Sequence, residues 1–353
     1  MSQQVIEQAD NRDFWQSVSE KYPSFNSASK NLKLDPKTVK KYILKYGFKL
    51  KKHNPIEIEN PVINLPPIKL NVYKHPINKK GDEEEAILHV SDGHAGKITC
   101  SFNDEVYIER MDNLFEGTMK IVTLHRNLYA IRKLHILMTG DNTQGENPFQ
   151  GCRIGETSMG ARDQTSKLAF PTMVKLIGSL AQEFEDIEIE CIAGNHGHDK
   201  LAPETSKEDL RLYDLLQVYF RDYKHIKINV YDRFAAVVKI NGFKSFLFHG
   251  DGVKSVGGVP FFALDKKLKS WYMQFGGFQY AFGGHFHKRH SDEISSKLEY
   301  FMCGSLVSDD DWAINKLGIS SNPSQGLYGI HPRYGVTWRY AVGVDRKFLP
   351  ERF

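Results

Sequence analysis

A length of 353 residues allows one sizeable core with a small appended domain. With 41% apolar and 25% charged residues the composition is that of an ordinary folded protein, which excludes wholesale disorder, and no run of about 18 apolar residues marks a membrane span. The net charge of +4 neither demands nor excludes a polyanionic partner, so the placement of charge along the chain says more than its sum.

The stretch MSQQVIEQADNRDFW has no basic flank followed by an apolar core, so no export signal is expected and the protein is expected to be cytoplasmic, with no membrane partner. Helical periodicity then runs from Asp13 to Lys52. Phe14, Trp15 and Val18 lie on one stripe, and Ala28, Leu32, Leu34, Val39, Tyr42 and Ile43 are spaced to bury a small core. Asp35-Pro36 reads as an N-cap with proline at the first helical position, and Gly47 as the residue just past the helix end. Ser24 to Tyr46 therefore resembles a helix-turn-helix, with PKTVKKYILKY as its second helix. Lysines stand at 30, 33, 37, 40, 41, 45, 49, 51 and 52 against a single acid, Asp35. Lys37, Lys40, Lys41 and Lys45, on the second helix, are the expected contacts to the phosphates of DNA, because neutralising the backbone releases counterions. A solvated basic helix pair with a protein partner, or none, is the other reading. The absence of Arg, Asn and Gln from the centre of that helix implies weak sequence preference.

Residues 1–52 are thus expected to form a small all-α domain, and residues 53–84 a linker, since Pro55, Pro61, Pro66, Pro67 and Pro76 favour extended chain. From residue 85 to 353, apolar β-type runs alternate with helical segments (Asp104–Tyr129, Gln164–Phe184, Lys207–Phe220) and give way to strand-rich sequence from Ile226. Five of these runs, Ala86–Val90, Leu134–Met138, Ile187–Ile192, Ser245–Phe248 and Gln279–Phe282, each end in a short polar motif. The motifs are SDGH at Ser91–His94, GDNTQG at Asp141, GNHG at Asn195, HGD at His249 and GHFH at His285–His287. Such placement puts carboxylate, amide and imidazole groups on loops at one end of a sheet, where open α/β folds build sites. Two divalent ions about 3.5–4 Å apart need oxygen and nitrogen donors and one carboxylate able to bridge. Asp92, His94 and His287 suit one ion, Asn195, His249 and His285 the other, and Asp141 the bridge. No cysteine is among the candidates, which disfavours a closed structural zinc site. Cys100, Cys152, Cys191 and Cys303 show no CxxC spacing and read as free thiols, with Cys191 inside an apolar strand.

This order of motifs resembles the calcineurin-like metallophosphoesterase superfamily, whose pattern runs DxH, GDxxx, GNH, a lone histidine before Gly or Asp, then GHxH. The likeness spans roughly Glu84 to Ser305. It implies an α/β (α+β) fold of two packed β-sheets flanked by helices, with the same seven residues as metal ligands and His196 as a catalytic histidine that binds no metal. Family members often carry Asp or His three residues after the bridging Asp to orient that histidine, whereas this chain has Gln144. SDGHAG resembles the first motif of the recombination-exonuclease branch, which uses manganese. Manganese is accordingly the expected ion, with zinc, iron or nickel as alternatives that the same donors would accept.

The implied activity is hydrolysis of phosphodiester bonds, with DNA as substrate and residues 1–52 as a nucleic-acid module. The alternatives are a small-molecule phosphatase or cyclic-nucleotide phosphodiesterase, or a DNA-associated regulator without turnover. A protein Ser/Thr phosphatase fits less well, because Gly197 stands where those enzymes carry glutamate. Lys254, Lys266, Lys267, Lys269, Lys288 and Arg289, near the last ligands, could track a phosphate backbone or be plain surface charge. His198, Asp199, Glu146, Arg153 and Arg162 could face substrate, but loop roles explain them equally well. The run Asp309-Asp310-Asp311 is read as a solvated turn.

Overall fold

The computed structural model describes residues 11–22, 25–49, 83–146, 156–198, 203–254, 260–308 and 322–345. Cys152, Arg153, Asp199, the Asp309–Asp311 run and nearly all of the 53–84 linker lie outside the described residues. The chain divides into two units, Met1–Asn64 and Leu65–Phe353.

In the first unit three helices, α1 (Arg12–Lys21), α2 (Phe25–Leu32) and α3 (Pro36–Lys45), bury Trp15, Val18, Ala28, Leu34, Val39 and Ile43. Phe14, Leu32 and Tyr42 pack at its margin. The capping reads as expected: the Asn11 side chain accepts from Phe14 N at 3.1 Å, and Asp35 from Lys37 N at 2.7 Å. With Val39 and Ile43 turned inward, Lys37, Lys40, Lys41 and Lys45 stand exposed on the rest of α3, with Leu44 between them.

The second unit is a stack of helices, sheet, sheet and helix. One sheet has the strand order β11-β10-β1-β2-β3-β4, the other β5-β6-β7-β9-β8. The first is built from β1 (Glu83–Val90), β2 (Ala130–Met138), β3 (Asp186–Ile192), β4 (Ile226–Tyr231), β10 (Ser324–His331) and β11 (Gly335–Gly343). The second is built from β5 (Ala235–Ile240), β6 (Phe243–Phe248), β7 (Tyr280–Gly283), β8 (His290–Ser295) and β9 (Leu298–Met302). Strands β1 to β4 run parallel, as do β6, β7 and β9, while β10, β11, β5 and β8 pair antiparallel. This is the two-sheet, helix-flanked architecture that the resemblance implied.

Period-two alternation explains why both faces of each sheet are apolar. Ala86, Leu88 and Val90 turn to one face and pack with helices α4 (Asp104–Arg126), α5 (Phe170–Leu180) and α6 (Glu208–Phe220), whereas Ile87 turns into the space between the sheets. In the second sheet Leu247 and Phe301 face that inner space. Phe246, Phe248 and Tyr300 face outward onto Leu264, Leu268 and Trp271 of α7 (Phe261–Gln274).

Three features differ from expectation. Strand β1 begins at Glu83, inside the segment read as linker, because buried Glu84 accepts hydrogen bonds from Thr337 Oγ1 (2.8 Å) and Trp338 Nε1 (2.9 Å) of β11. Strand β8, HSDEIS, carries no apolar alternation. It forms as an edge strand paired only with β9, where polar residues are favoured. The helix expected from Gln164 starts as a π-helical stretch, Gln164–Ala169, before α5. Among the described residues no helix is long and apolar enough to cross a membrane. Cys191 and Cys303 are buried free thiols.

Candidate metal centre

All five motifs follow strand ends on one edge of the two sheets. Asp92 and His94 follow β1, Asp141 follows β2, Asn195 and His196 follow β3, His249 follows β6, and His285 and His287 follow β7. Parallel pairing of β1, β2 and β3, and of β6 with β7, carries these carboxyl ends to a common side. The ligand loops are tied to each other by main chain: Asp92 N donates to Gly140 O (3.0 Å), His94 N to Asp141 O (2.9 Å) and Gly284 N to His249 O (2.8 Å).

The backbone at these positions is strained. Asp92 (φ 52), His94 (φ 46), Asp141 (φ 55), His285 (φ 73) and His287 (φ 53) all occupy the left-handed region, which costs a non-glycine residue about 1–2 kcal/mol. Among the described residues, only Lys33 and Asn241 share this feature. Glycines make room for the donors: a Cβ at Gly194 would meet Asp141 Oδ1, and one at Gly284 would meet Ser91 Oγ and Asp92 Oδ2.

Donor atoms converge in three overlapping groups, Asp92/His94/His287, His94/Asp141/His196 and Asp141/His249/His285, within each of which they lie within 4.8 Å of one another. His94 Nε2 is 2.9 Å from His287 Nε2, and His287 Nε2 is 3.4 Å from Asp92 Oδ1. On the other side His249 Nε2 lies 3.0 Å from both Asn195 Oδ1 and Asp141 Oδ2. Two donors about 2.1 Å from a shared cation at right angles are themselves about 3 Å apart, so this spacing suits a common ion. Asp141 belongs to groups on both sides. Its Oδ1 accepts from His196 N at 2.7 Å, while its buried Oδ2 accepts no well-aligned hydrogen bond. A buried carboxylate oxygen left in that state is the acceptor a cation would complete. His249 Nδ1 donates to Thr139 O at 2.7 Å, which fixes the tautomer and directs Nε2 to the centre. The residues present therefore fit a pair of divalent cations.

Charge follows the same pattern. Burial opposes ionisation of Asp141, yet His249 and His196 outweigh it and hold the carboxyl well below its usual range. Asp92 is likewise lowered, by His287 and His249 against the effect of burial. Burial lowers His94 well below the usual value and His285 to about 4, leaving both neutral and able to donate a lone pair. His249 goes the other way, to about 10: burial opposes it, but Asp141 and Asp92 hold a second proton on the ring, at Nε2, which a bound cation would displace.

His196 sits in the middle group with Nε2 4.0 Å from Asp141 Oδ2. Its Nδ1 is 3.2 Å from the main-chain carbonyl of Gln144, which can only accept, so Nδ1 carries the proton. The backbone of Gln144 thus does the orienting that a side chain three residues after the bridging Asp was expected to do. The Gln144 side chain is buried and its Oε1 has no hydrogen-bond partner.

Several residues that hold the site were not singled out from sequence. Asp209, fully buried at the start of α6, accepts from the main-chain N–H of Asp141 (2.8 Å), Asn142 (2.9 Å) and Gly194 (2.9 Å) and from Asn142 Nδ2 (2.8 Å). One carboxylate thereby clamps the loops after β2 and β3. Its signal was present: Asp209 lies on the stripe Leu212, Tyr213, Leu216, Phe220 that buries α6. Gln164 holds Gly145 through N–H···Oε1 (2.7 Å), Gln325 holds Ser91 N (2.8 Å), and Ser305 Oγ donates to Asp92 O (2.8 Å). Glu146 caps Ala161 N at 2.9 Å, and His198 contacts Pro203 O at 3.2 Å, both local loop roles. His125 stacks on Trp338, His135 pairs with Glu85, and His290 stacks on Phe261, all away from the donor groups.

No protein-family model matches the chain, and no curated protein matches it. Among solved structures it is similar to Entamoeba histolytica Vps29 complexed with zinc, at 15% identity over 73% of this chain and 99% of that one, with a TM-score of 0.32. It is also similar to a predicted phosphoesterase from Streptococcus pneumoniae, at 10% identity over 73% of this chain and 98% of that one, with a TM-score of 0.31. A third is a 5'-nucleotidase from Candida albicans, at 13% identity over 76% of this chain and 53% of that one, with a TM-score of 0.37. None of these likenesses bears on the donor atoms, whose geometry is this chain's own.

Proposed function

We propose that the chain is a dinuclear-metal phosphoesterase that cleaves phosphodiester bonds in DNA, with manganese as its working ion and the basic helices α2 and α3 bringing it to the strand. Asp141 carries this reading: it is buried, has one oxygen without an aligned hydrogen bond, and is shared by donor groups on two sides. Asp92, His94 and His287 would hold one ion and Asn195, His249 and His285 the other. Bound there, the cations would lower the pKa of an attacking water and neutralise the phosphoryl oxygens.

The chain's own residues supply position and a proton. His196, its Nδ1–H committed to the Gln144 carbonyl, takes a proton from solvent on Nε2 and gives it to the leaving oxygen as the bond from phosphorus to that oxygen breaks, returning to the neutral imidazole. Asp209 keeps Asp141 and the His196 loop in register while this happens. An intact His196 at the centre favours turnover over a purely binding role, because a scaffold would need no such group facing the donors.

The test is incubation of the full chain and manganese with single- and double-stranded DNA, bis(p-nitrophenyl) phosphate and p-nitrophenyl phosphate. DNA and the diester are expected to be cleaved. His196→Ala should lower that rate about 10²- to 10⁴-fold while bound manganese is retained. Cleavage of the monoester with DNA left intact would move the chain to the small-molecule phosphatases. Equal DNA affinity at low salt with and without residues 1–52 would remove the nucleic-acid role of the helices.

A further inference from the structure

We propose that the cavity at the edge between the two sheets, where Arg289 and Tyr328 meet, binds the phosphate next to the scissile one in a polynucleotide strand. This assignment rests on the phosphodiesterase reading above. The cavity has a volume of ≈ 350 Å³ and is lined by Arg289, His290, Ser291, Tyr328, Arg339 and Tyr340 among others, with no acidic residue among the described residues of its wall. That size is in the usual range for a ligand site.

Arg289 is the informative residue. Arg110, Arg126, Arg132 and Arg339 are each tied to a carboxylate, whereas Arg289 has no hydrogen bond or ion pair among the described residues. Its stem runs over Gly304, where an added Cβ would come within 3.3 Å of Arg289 Cγ. Gly304 precedes Ser305, whose hydroxyl holds the Asp92 carbonyl at 2.8 Å. Arg289 also follows the ligand His287 by two residues, a span of at most about 7 Å. Arg289 is therefore close along the chain to the donor residues, and its guanidinium acts on Tyr328 in the cavity.

The cavity supplies a second donor. Tyr328 is only 6% exposed, and its hydroxyl makes no hydrogen bond among the described residues. Burial pushes that phenol up while the charges of Arg289 and Arg339 pull it back, so both guanidinium groups act on its hydroxyl. A Cβ at Gly326 would lie 2.5 Å from that oxygen, so only a glycine there leaves room for the phenol. A guanidinium fork beside a hydroxyl donor, with no acid among the described lining residues, matches a phosphodiester group. A free inorganic phosphate would satisfy the same two donors, but it leaves most of the ≈ 350 Å³ unused.

The experiment uses the full chain in EDTA, so that nothing is turned over, and measures binding of the dinucleotide pdTpdT and of inorganic phosphate by calorimetry. Arg289→Ala is expected to weaken the dinucleotide about tenfold and Tyr328→Phe by less, with Arg289→Lys intermediate. In the manganese-loaded protein, Arg289→Ala should lower about tenfold the ratio of kcat/KM on pdTpdT to kcat/KM on the p-nitrophenyl ester of thymidine 5'-phosphate. Equal dinucleotide affinity in wild type and Arg289→Ala overturns the proposal. So does loss of inorganic phosphate binding to the same extent as dinucleotide binding, which would make the cavity a free-anion site. If wild type turns over neither ester, the phosphodiesterase reading has failed by itself, and the binding comparison still decides whether Arg289 holds the strand.

Discussion

The N-terminal helical unit and the donor-bearing edge of the sheets spend free energy in opposite ways. The helices bury Trp15, Val18, Ala28, Val39 and Ile43 against one another and keep every lysine outside, so each local preference agrees with the packing. The edge buries Asp92, His94, Asp141, His249 and Asp209, puts five donors in left-handed backbone and needs long-range contacts to hold them there. Strain and buried charge collect where chemistry is expected, and the apolar faces of two sheets carry the cost.

The sharpest way to break that contrast is to remove the shared carboxylate. Asp141→Ala should lower manganese-dependent diester hydrolysis about 10³-fold, and metal analysis should find about one ion or fewer per chain. Full activity in this variant would mean that the converging donors have no catalytic role. The helical unit should respond only in stability: Ile43→Ala, which empties a fully buried site, should cost that unit about 3 kcal/mol on thermal melting, with small-diester turnover kept.

Asp209 tests whether the clamp matters beyond folding. Asp209→Asn keeps the shape but presents an amide NH₂ to main-chain donors. Manganese affinity should fall about 10- to 100-fold by calorimetry at a temperature where circular dichroism shows the variant folded. Unchanged affinity would make Asp209 a purely structural acid.

The smallest effect belongs to a charge outside the site. Burial raises the Glu188 carboxyl, but Lys133 (2.8 Å) and Lys227 (2.8 Å) outweigh it and hold the group near about 2. A lowered carboxylate stabilises the fold above its ordinary value of 4.5, and that contribution is lost as pH falls through 2. Because Lys227 is 66% exposed, the gain should stay below about 1 kcal/mol. The melting difference between wild type and Glu188→Gln should accordingly be small at pH 7 and vanish toward pH 2.

Much of the architecture was legible before any coordinates. Apolar β-type runs located β1, β2, β3, β6 and β7, and the capping pair Asp35-Pro36 located the start of α3. Strand β8 was not legible, because HSDEIS has no apolar face and owes its extended form to its neighbour β9. The donor residues stood out because five motifs follow five strands in order. The three-way grouping of their atoms did not, since it depends on how two sheets face each other. Gln144 shows the limit most directly. Its side chain drew attention as a departure, yet its main-chain oxygen meets His196, and every residue carries that atom.

The sequence by itself determined which residues could ligate, on which side of each strand they fall, and that a basic helix pair precedes them, because periodicity, caps and motif spacing act over a few residues. Tertiary structure decided that Asp141 is shared by two donor groups, that Asp209 clamps it from 68 residues away, and that Arg289 lines a cavity with Tyr328 and Arg339. Those outcomes depend on which distant main-chain donors and charges meet a buried group once water is excluded, and a local pattern carries no record of that.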